Sequence, residues 1–197
     1  RPKTVHPPAR GVCFEYIHTI SIFTTNLKRR LKTTKFRNTA MTDLTVWEVS
    51  PVNTVIDHVI SRYHNTHRAQ LEELVPLAHK IASTSPDGFP AELPELLEYI
   101  QNELLMHMMK EERMLFPMAK QGLGSRAAMP VNVMMHEHEE HDRALAQSKT
   151  LTNHFTPPQN ADKDQQRLYA LAQELSDDLE EHIHLENEIL FPRILAS

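Results

Sequence analysis

Apolar positions recur about every 3.6 residues along four stretches of the chain, which predicts four amphipathic helices. The first runs from about residue 54 to 83 on Ile56, Ile60, Tyr63, Leu71, Leu74, Ala78 and Ile81, with Pro76 placed to kink it. Residues 83–88, Ser-Thr-Ser-Pro-Asp-Gly, form a loop. The second helix starts near 91–93 and runs to 116 on Leu93, Leu97, Ile100, Leu104, Met108 and Leu115. After a turn at 122–125, Pro130 suits the first turn of a third helix reaching about 155. Residues 156–160 break it, and a fourth helix follows from about 164 to 191 on Leu168, Leu171, Leu175, Leu179 and Leu190. Four long helices with short connections predict an all-α fold, an up-down-up-down four-helix bundle.

One phrase occurs twice, 75 residues apart. His107-x-x-x-Glu111-x-x-x-Leu115-Phe116-Pro117 recurs as His182-x-x-x-Glu186-x-x-x-Leu190-Phe191-Pro192. On a helix, residues four apart share a face. Proline disfavours the helical conformation of the residue before it, so each Phe-Pro is expected to close its helix. At about 100° per residue, His107 and Glu111 fall within the apolar arc of the second helix, and His182 and Glu186 within the leucine stripe of the fourth. An unpaired buried charge costs several kcal/mol even after relaxation. Lys and Arg are nearly absent from the inward arcs, so bound cations are the expected compensation.

The other two helices supply facing donors. His64 and His67 lie in the apolar arc of the first helix, and His138 and His141 in that of the third. Helix phase does not choose within either pair. His58, His79, His136, His154 and His184 face outward, Glu112 and Glu139 are expected in solvent, and the methionines at 106, 108, 109, 114, 118, 134 and 135 read as core filler. Taken singly, an inward histidine is more often hydrogen-bonded than metal-bound. Two copies in one register, both inward and faced by further histidines, reverse that reading.

Composition narrows the class. Gly is scarce at four, which favours helices over a turn-rich sheet protein, and 13 histidines are the outlier. The single cysteine, Cys13, excludes an internal disulfide and a thiolate cluster and fits a reducing cytoplasm. No apolar run approaches the ~20 residues of a membrane span. Of 21 Lys and Arg and 26 Asp and Glu, residues 1–40 hold nine basic and one acidic (Glu15), against 12 and 25 in residues 41–197. Residues 1–40 are expected to be a basic extension, disordered or the result of a start assigned too far upstream, with a cleaved targeting peptide as the third reading. The bundle domain is expected at 41–197, beginning at Met41. Its acidic balance argues against nucleic acid as a partner.

Imidazole and carboxylate without sulfur suit non-haem iron, manganese or zinc. Four histidines and two glutamates are too many for one tetrahedral zinc. Two ions about 3.5–4 Å apart, bridged by both carboxylates, use them economically.

The chain resembles a known family at several motifs: Ile56-Asp-His58-Val-Ile-Ser-Arg-Tyr-His64-Asn-Thr-His67-Arg, His107-Met-Met-Lys-Glu111-Glu with Leu115-Phe-Pro-Met118, Val133-Met-Met-His-Glu-His138-Glu-Glu, Phe155-Thr-Pro-Pro158, and His182-Ile-His-Leu-Glu186-Asn with Leu190-Phe-Pro-Arg193. It is similar there to the repair-of-iron-centres proteins, which have a hemerythrin-like domain, and the resemblance runs from about residue 51 to the C-terminus. It implies two non-haem iron ions, carboxylate-bridged with an oxo or hydroxo bridge, held by His64, His107, His138 and His182 with Glu111 and Glu186 bridging. The preference for His64 over His67, and for His138 over His141, rests on the family. The resemblance also implies repair of iron–sulfur clusters damaged by nitric oxide or oxidants, by iron donation. Its partners would be damaged iron–sulfur proteins met transiently in the cytoplasm, and the chain a monomer or homodimer. The alternative is a hemerythrin-like module that binds, senses or detoxifies oxygen or nitric oxide. Longer members carry an N-terminal domain with an adjacent cysteine pair. This chain has no such pair, residues 1–40 do not resemble that domain, and roles needing those thiols do not carry over.

Overall fold

The computed structural model describes residues 44–84 and 86–197. The basic extension expected at 1–40 lies outside the described residues, as do residues 41–43. A short helix, α1 (Thr45–Val49), precedes four long ones, and all regular structure among the described residues is helical. Helix α2 joins Val52–His58, a π-helical segment Val59–His64 and Asn65–Ala82. Helix α3 joins Leu93–Lys110, a second π segment Glu111–Leu115 and Phe116–Lys120. After a 3-10 turn at Gly124–Arg126 come α4 (Ala128–Leu151) and α5, which joins Lys163–Leu185, a third π segment Glu186–Leu190 and Phe191–Leu195.

Neighbouring helices run antiparallel, as their side-chain pairs show. Arg62 bonds Asp178 at 2.6 Å, Arg167 bonds Glu73 at 2.6 Å and Lys80 bonds Asp164 at 2.6 Å, tying α2 to α5 in opposite directions. Lys110 meets Glu137 between α3 and α4, and Lys149 meets Glu180 between α4 and α5. The bundle expected from periodicity is the fold observed.

Two apolar clusters fill it. One gathers Leu71, Leu74, Leu97, Leu104, Leu145 and Leu175 with their neighbours, and the other Ile56, Tyr63, Leu115, Phe116, Met134 and Phe191 with theirs. Along every long helix the inward histidines and glutamates fall where one cluster gives way to the other. The polar layer is thus packed between hydrocarbon on both sides. Burying a leucine-sized side chain contributes about 1.5–3 kcal/mol, so the two clusters supply the stability that tolerates the layer.

Several boundaries differ from the sequence reading. Neither Phe-Pro closes its helix: Pro117 and Pro192 are the second residues of helical segments that continue to Lys120 and Leu195. A proline ring collides with the carbonyl four residues back. Those residues, Arg113 and Glu188, lie inside π segments, whose wider turn makes the room. Helix α2 likewise continues through Pro76. Helix α4 stops at Leu151 rather than near 155, because Asn153, His154 and Phe155 take φ values of 47°, 58° and 55°. That left-handed turn costs about 1–2 kcal/mol per residue. It returns Phe155 to the core, where its N–H donates to the Thr152 hydroxyl at 3.0 Å. Met106, Met114 and Met135 are exposed, so only part of the methionine set fills the core.

Candidate metal centre

The polar layer brings six side chains together. His64 comes from α2, His107 and Glu111 from α3, His138 from α4, and His182 and Glu186 from α5, and none is more than 1% exposed. Their donor atoms form two groups. His64, Glu111, His182 and Glu186 each bring one atom within 4.8 Å of the others, and so do His107, Glu111, His138 and Glu186. Both glutamates therefore belong to both groups. Glu111 Oε2 lies 3.3 Å from His64 Nε2 and 3.5 Å from His107 Nε2. Glu186 lies 3.2 Å from His138 Nε2 through Oε2 and 3.2 Å from His182 Nε2 through Oε1.

The layer is short of positive charge. All four oxygens of Glu111 and Glu186, with Nε2 of His64 and of His182, are buried without a hydrogen-bond partner. Among the described residues no Lys or Arg is buried. Burial, then the neighbouring Glu186 charge, holds the Glu111 carboxyl well above the usual range. Burial pushes Glu186 up too, but the imidazoles of His182 and His138, each with Nε2 3.2 Å away, outweigh it and hold that carboxyl well below the usual range. Burial, helped by His182, lowers His64 to about 4. Such a histidine is neutral at neutral pH, the form that ligates a metal. Orphaned oxygens shared by two groups of imidazoles fit bound cations, and the nitrogen and oxygen donors suit iron, manganese or zinc.

Residues 55–194 match the hemerythrin HHE cation binding domain family. The chain belongs to that family. Among curated relatives it is 62% identical over 157 residues to the iron-sulfur cluster repair protein DnrN of Neisseria gonorrhoeae, covering 80% of this chain and 100% of that protein. It is 47% identical over 151 residues to the iron-sulfur cluster repair protein YtfE of Dickeya chrysanthemi, covering 76% of this chain and 68% of the relative. A protein of the same name from Cronobacter sakazakii is 48% identical over 152 residues, with 76% and 69% covered.

In this hemerythrin HHE domain the π segments stand at the site. One ends at His64, and the others begin at Glu111 and Glu186. Such bulges often mark functional positions. Here they change the angle between the layer residues and the Phe-Pro ends behind them. Phe116 then stacks on His64 at 5.9 Å and Phe191 on His138 at 5.6 Å.

The residues that hold the imidazoles from behind were missed in the sequence. His64 Nδ1 lies 2.7 Å from Glu112 Oε1, which also accepts from Arg68 at 2.8 Å. His138 Nδ1 lies 2.9 Å from Asn187 Oδ1, and His107 Nδ1 3.0 Å from Glu137 Oε2. Glu112, expected in solvent, is thus half-buried against His64. The repeat carries the signal for two of these, because Glu112 follows Glu111 as Asn187 follows Glu186. The bond to His107, with Lys110 behind it, draws Glu137 down to about 2. His67 and His141 stand outside both groups. Their rings lie 5.3 Å from His182 and 5.1 Å from His107, and the Nε2 of each is buried and unpartnered. His58, expected to face outward, is half-covered by Trp47, whose ring stacks on it at 4.1 Å.

Proposed function

We propose that this hemerythrin HHE domain holds two non-haem iron ions and repairs iron–sulfur clusters damaged by nitric oxide or oxidative stress, donating iron to them. His64, His107, His138 and His182 would each supply Nε2, with Glu111 and Glu186 bridging and solvent completing the bridge. The observation that carries this reading is the pair of fully buried glutamates, each shared between two groups, with no hydrogen-bond partner for any oxygen. Bound iron would supply charge compensation and be the cargo. The protein's own part is to present the imidazoles and to keep water out with the apolar clusters above and below. Relatives named as iron-sulfur cluster repair proteins support the direction. The clients would be damaged iron–sulfur proteins met transiently in the cytoplasm, with the chain acting as monomer or homodimer. No described helix is long and apolar enough to cross a membrane.

The test compares iron-loaded protein with an equal concentration of free ferrous iron in reactivating a cluster enzyme damaged by nitric oxide. Greater recovery with the protein, lost in Glu111→Ala, is expected. Equal recovery with free iron refutes donation. A second reading, reversible binding of oxygen or nitric oxide, is favoured by the donor count: two imidazoles and two shared carboxylates per group are fewer donors than the six an octahedral iron takes. It requires ligand spectra that reverse with all iron retained.

A further inference from the structure

We propose that the two halves of the centre hold their ions unequally and that the half built on His64 and His182 releases first. This rests on the two-ion reading above and adds which ion is labile and why.

The two halves follow the sequence repeat, and the repeat is broken at one place. Three of the four imidazoles have an acceptor on Nδ1: Glu112 for His64, Asn187 for His138 and Glu137 for His107. Glu137 is itself fixed by Lys110 at 2.5 Å. The fourth, His182 Nδ1, is buried with no hydrogen-bond partner. The cause is readable in the sequence. Glu137 immediately precedes His138, the first histidine of a His-x-x-His pair; the residue preceding His64, the first of the other pair, is Tyr63. The Tyr63 ring lies flat on the His182 imidazole, at 5.0 Å and 7° between planes. An aromatic face covers the ring where a carboxylate holds its counterpart.

A ligating histidine depends on its outer nitrogen's partner for orientation and basicity, and losing that partner typically costs about 10–100-fold in metal affinity. The His107–His138 half has both imidazoles anchored, whereas the His64–His182 half has one. The first ion to leave is therefore the one beside Tyr63. Because Glu111 and Glu186 belong to both groups, the ion left behind still compensates both carboxylates. The bundle can give up half its cargo without exposing its core to uncompensated charge. Tyr63 is a positioning residue in this scheme, acting through His182.

The experiment loads the full chain anaerobically with ferrous iron and follows its transfer to a strong chelator by stopped-flow absorbance. Two phases of one equivalent each are expected, separated by about 10–100-fold. Glu137→Ala should speed the slow phase and leave the fast one. Tyr63→Gln, which places an amide acceptor where the repeat has Glu137, should slow the fast phase only. Tyr63→Phe keeps the stack without an acceptor and should change neither. Circular dichroism checks that each variant is folded; if Tyr63→Gln is not, Glu137→Ala carries the test alone. A single phase releasing both ions, or a slow phase unmoved by Glu137→Ala, overturns the inference. Uptake of fewer than two equivalents overturns the two-ion reading and this inference with it. Failure to reactivate a cluster enzyme, with both phases intact, overturns donation alone.

Discussion

Replacing Glu111 by leucine should stabilise the metal-free protein and abolish its stabilisation by metal. The Glu111 carboxyl is fully buried, neither oxygen has a hydrogen-bond partner, and its nearest imidazole nitrogens stand at 3.3 Å and 3.5 Å. Burial and the Glu186 charge raise its pKa well above the usual carboxylate range and so favour the protonated form when no metal is bound. Its cost is then that of a neutral polar group without a partner, about 1–3 kcal/mol by mutational measures. Leucine has a similar volume and removes that cost. For a domain of this size each kcal/mol moves the melting temperature by about 2–4 °C, so Glu111→Leu should melt roughly 2–12 °C higher in chelator. With ferrous iron at a hundred times its dissociation constant the parent should gain about 2.7 kcal/mol. The variant, having lost a donor common to both groups, should gain almost none. The variant's lead therefore shrinks on adding metal, and reverses wherever the carboxyl costs less than about 2.7 kcal/mol. Calorimetry of both proteins, in chelator and in ferrous iron, reads all four states. A variant that melts below the parent in chelator, or that keeps the parent's metal-dependent rise, would show that this carboxyl is satisfied by the protein itself.

Two further outcomes are expected. Burial lowers His64 to about 4, and His67 and His141 each to about 3, in the metal-free fold. The unfolded chain, with histidines near ~6.5, binds more protons below that pH. The histidine contribution to metal-free stability should thus be complete above about pH 6.5 and fall as pH drops toward 4, three such groups outweighing the opposite trend of Glu111; urea unfolding at pH 7, 6 and 5 that gave equal stabilities would contradict this. Asp162 caps α5 in a reciprocal pair with Gln165, its carboxylate accepting from Gln165 N–H at 2.8 Å. Asp162→Ala should cost about 1 kcal/mol in denaturant unfolding without changing the equivalents of metal bound, and altered metal uptake would tie the cap to the site.

The architecture was legible because all four stretches keep one period long enough to define a face, and because the two His-x-x-x-Glu copies fall on that face in the same register. The six residues expected at the centre do meet. Periodicity alone left His64 beside His67 and His138 beside His141, since residues three apart share an arc. Only coordinates show which nitrogens approach the glutamates. The outer partners were hidden for another reason. Glu112 and Glu137 sit at the edge of the apolar arc, where a helical wheel reads solvent, and only a histidine arriving from a neighbouring helix gives them a role. The expected stops at Pro117 and Pro192 failed because the rule assumes that a helix keeps one pitch, whereas this chain changes pitch just ahead of each proline.

That change of pitch has a consequence for how the chain tolerates length changes. A widened turn lets the two parts of one rod hold different rotational settings, so Glu111 can aim at the middle of the molecule while Phe116 is aimed independently. Losing one residue between 111 and 115 would restore ordinary winding there and, because the wide turn holds about one residue more than an α turn, leave everything beyond it close to its present setting. In these five-residue windows a single deletion should do less harm to the helix beyond than the same deletion elsewhere in the rod, which would swing everything after it by about 100°.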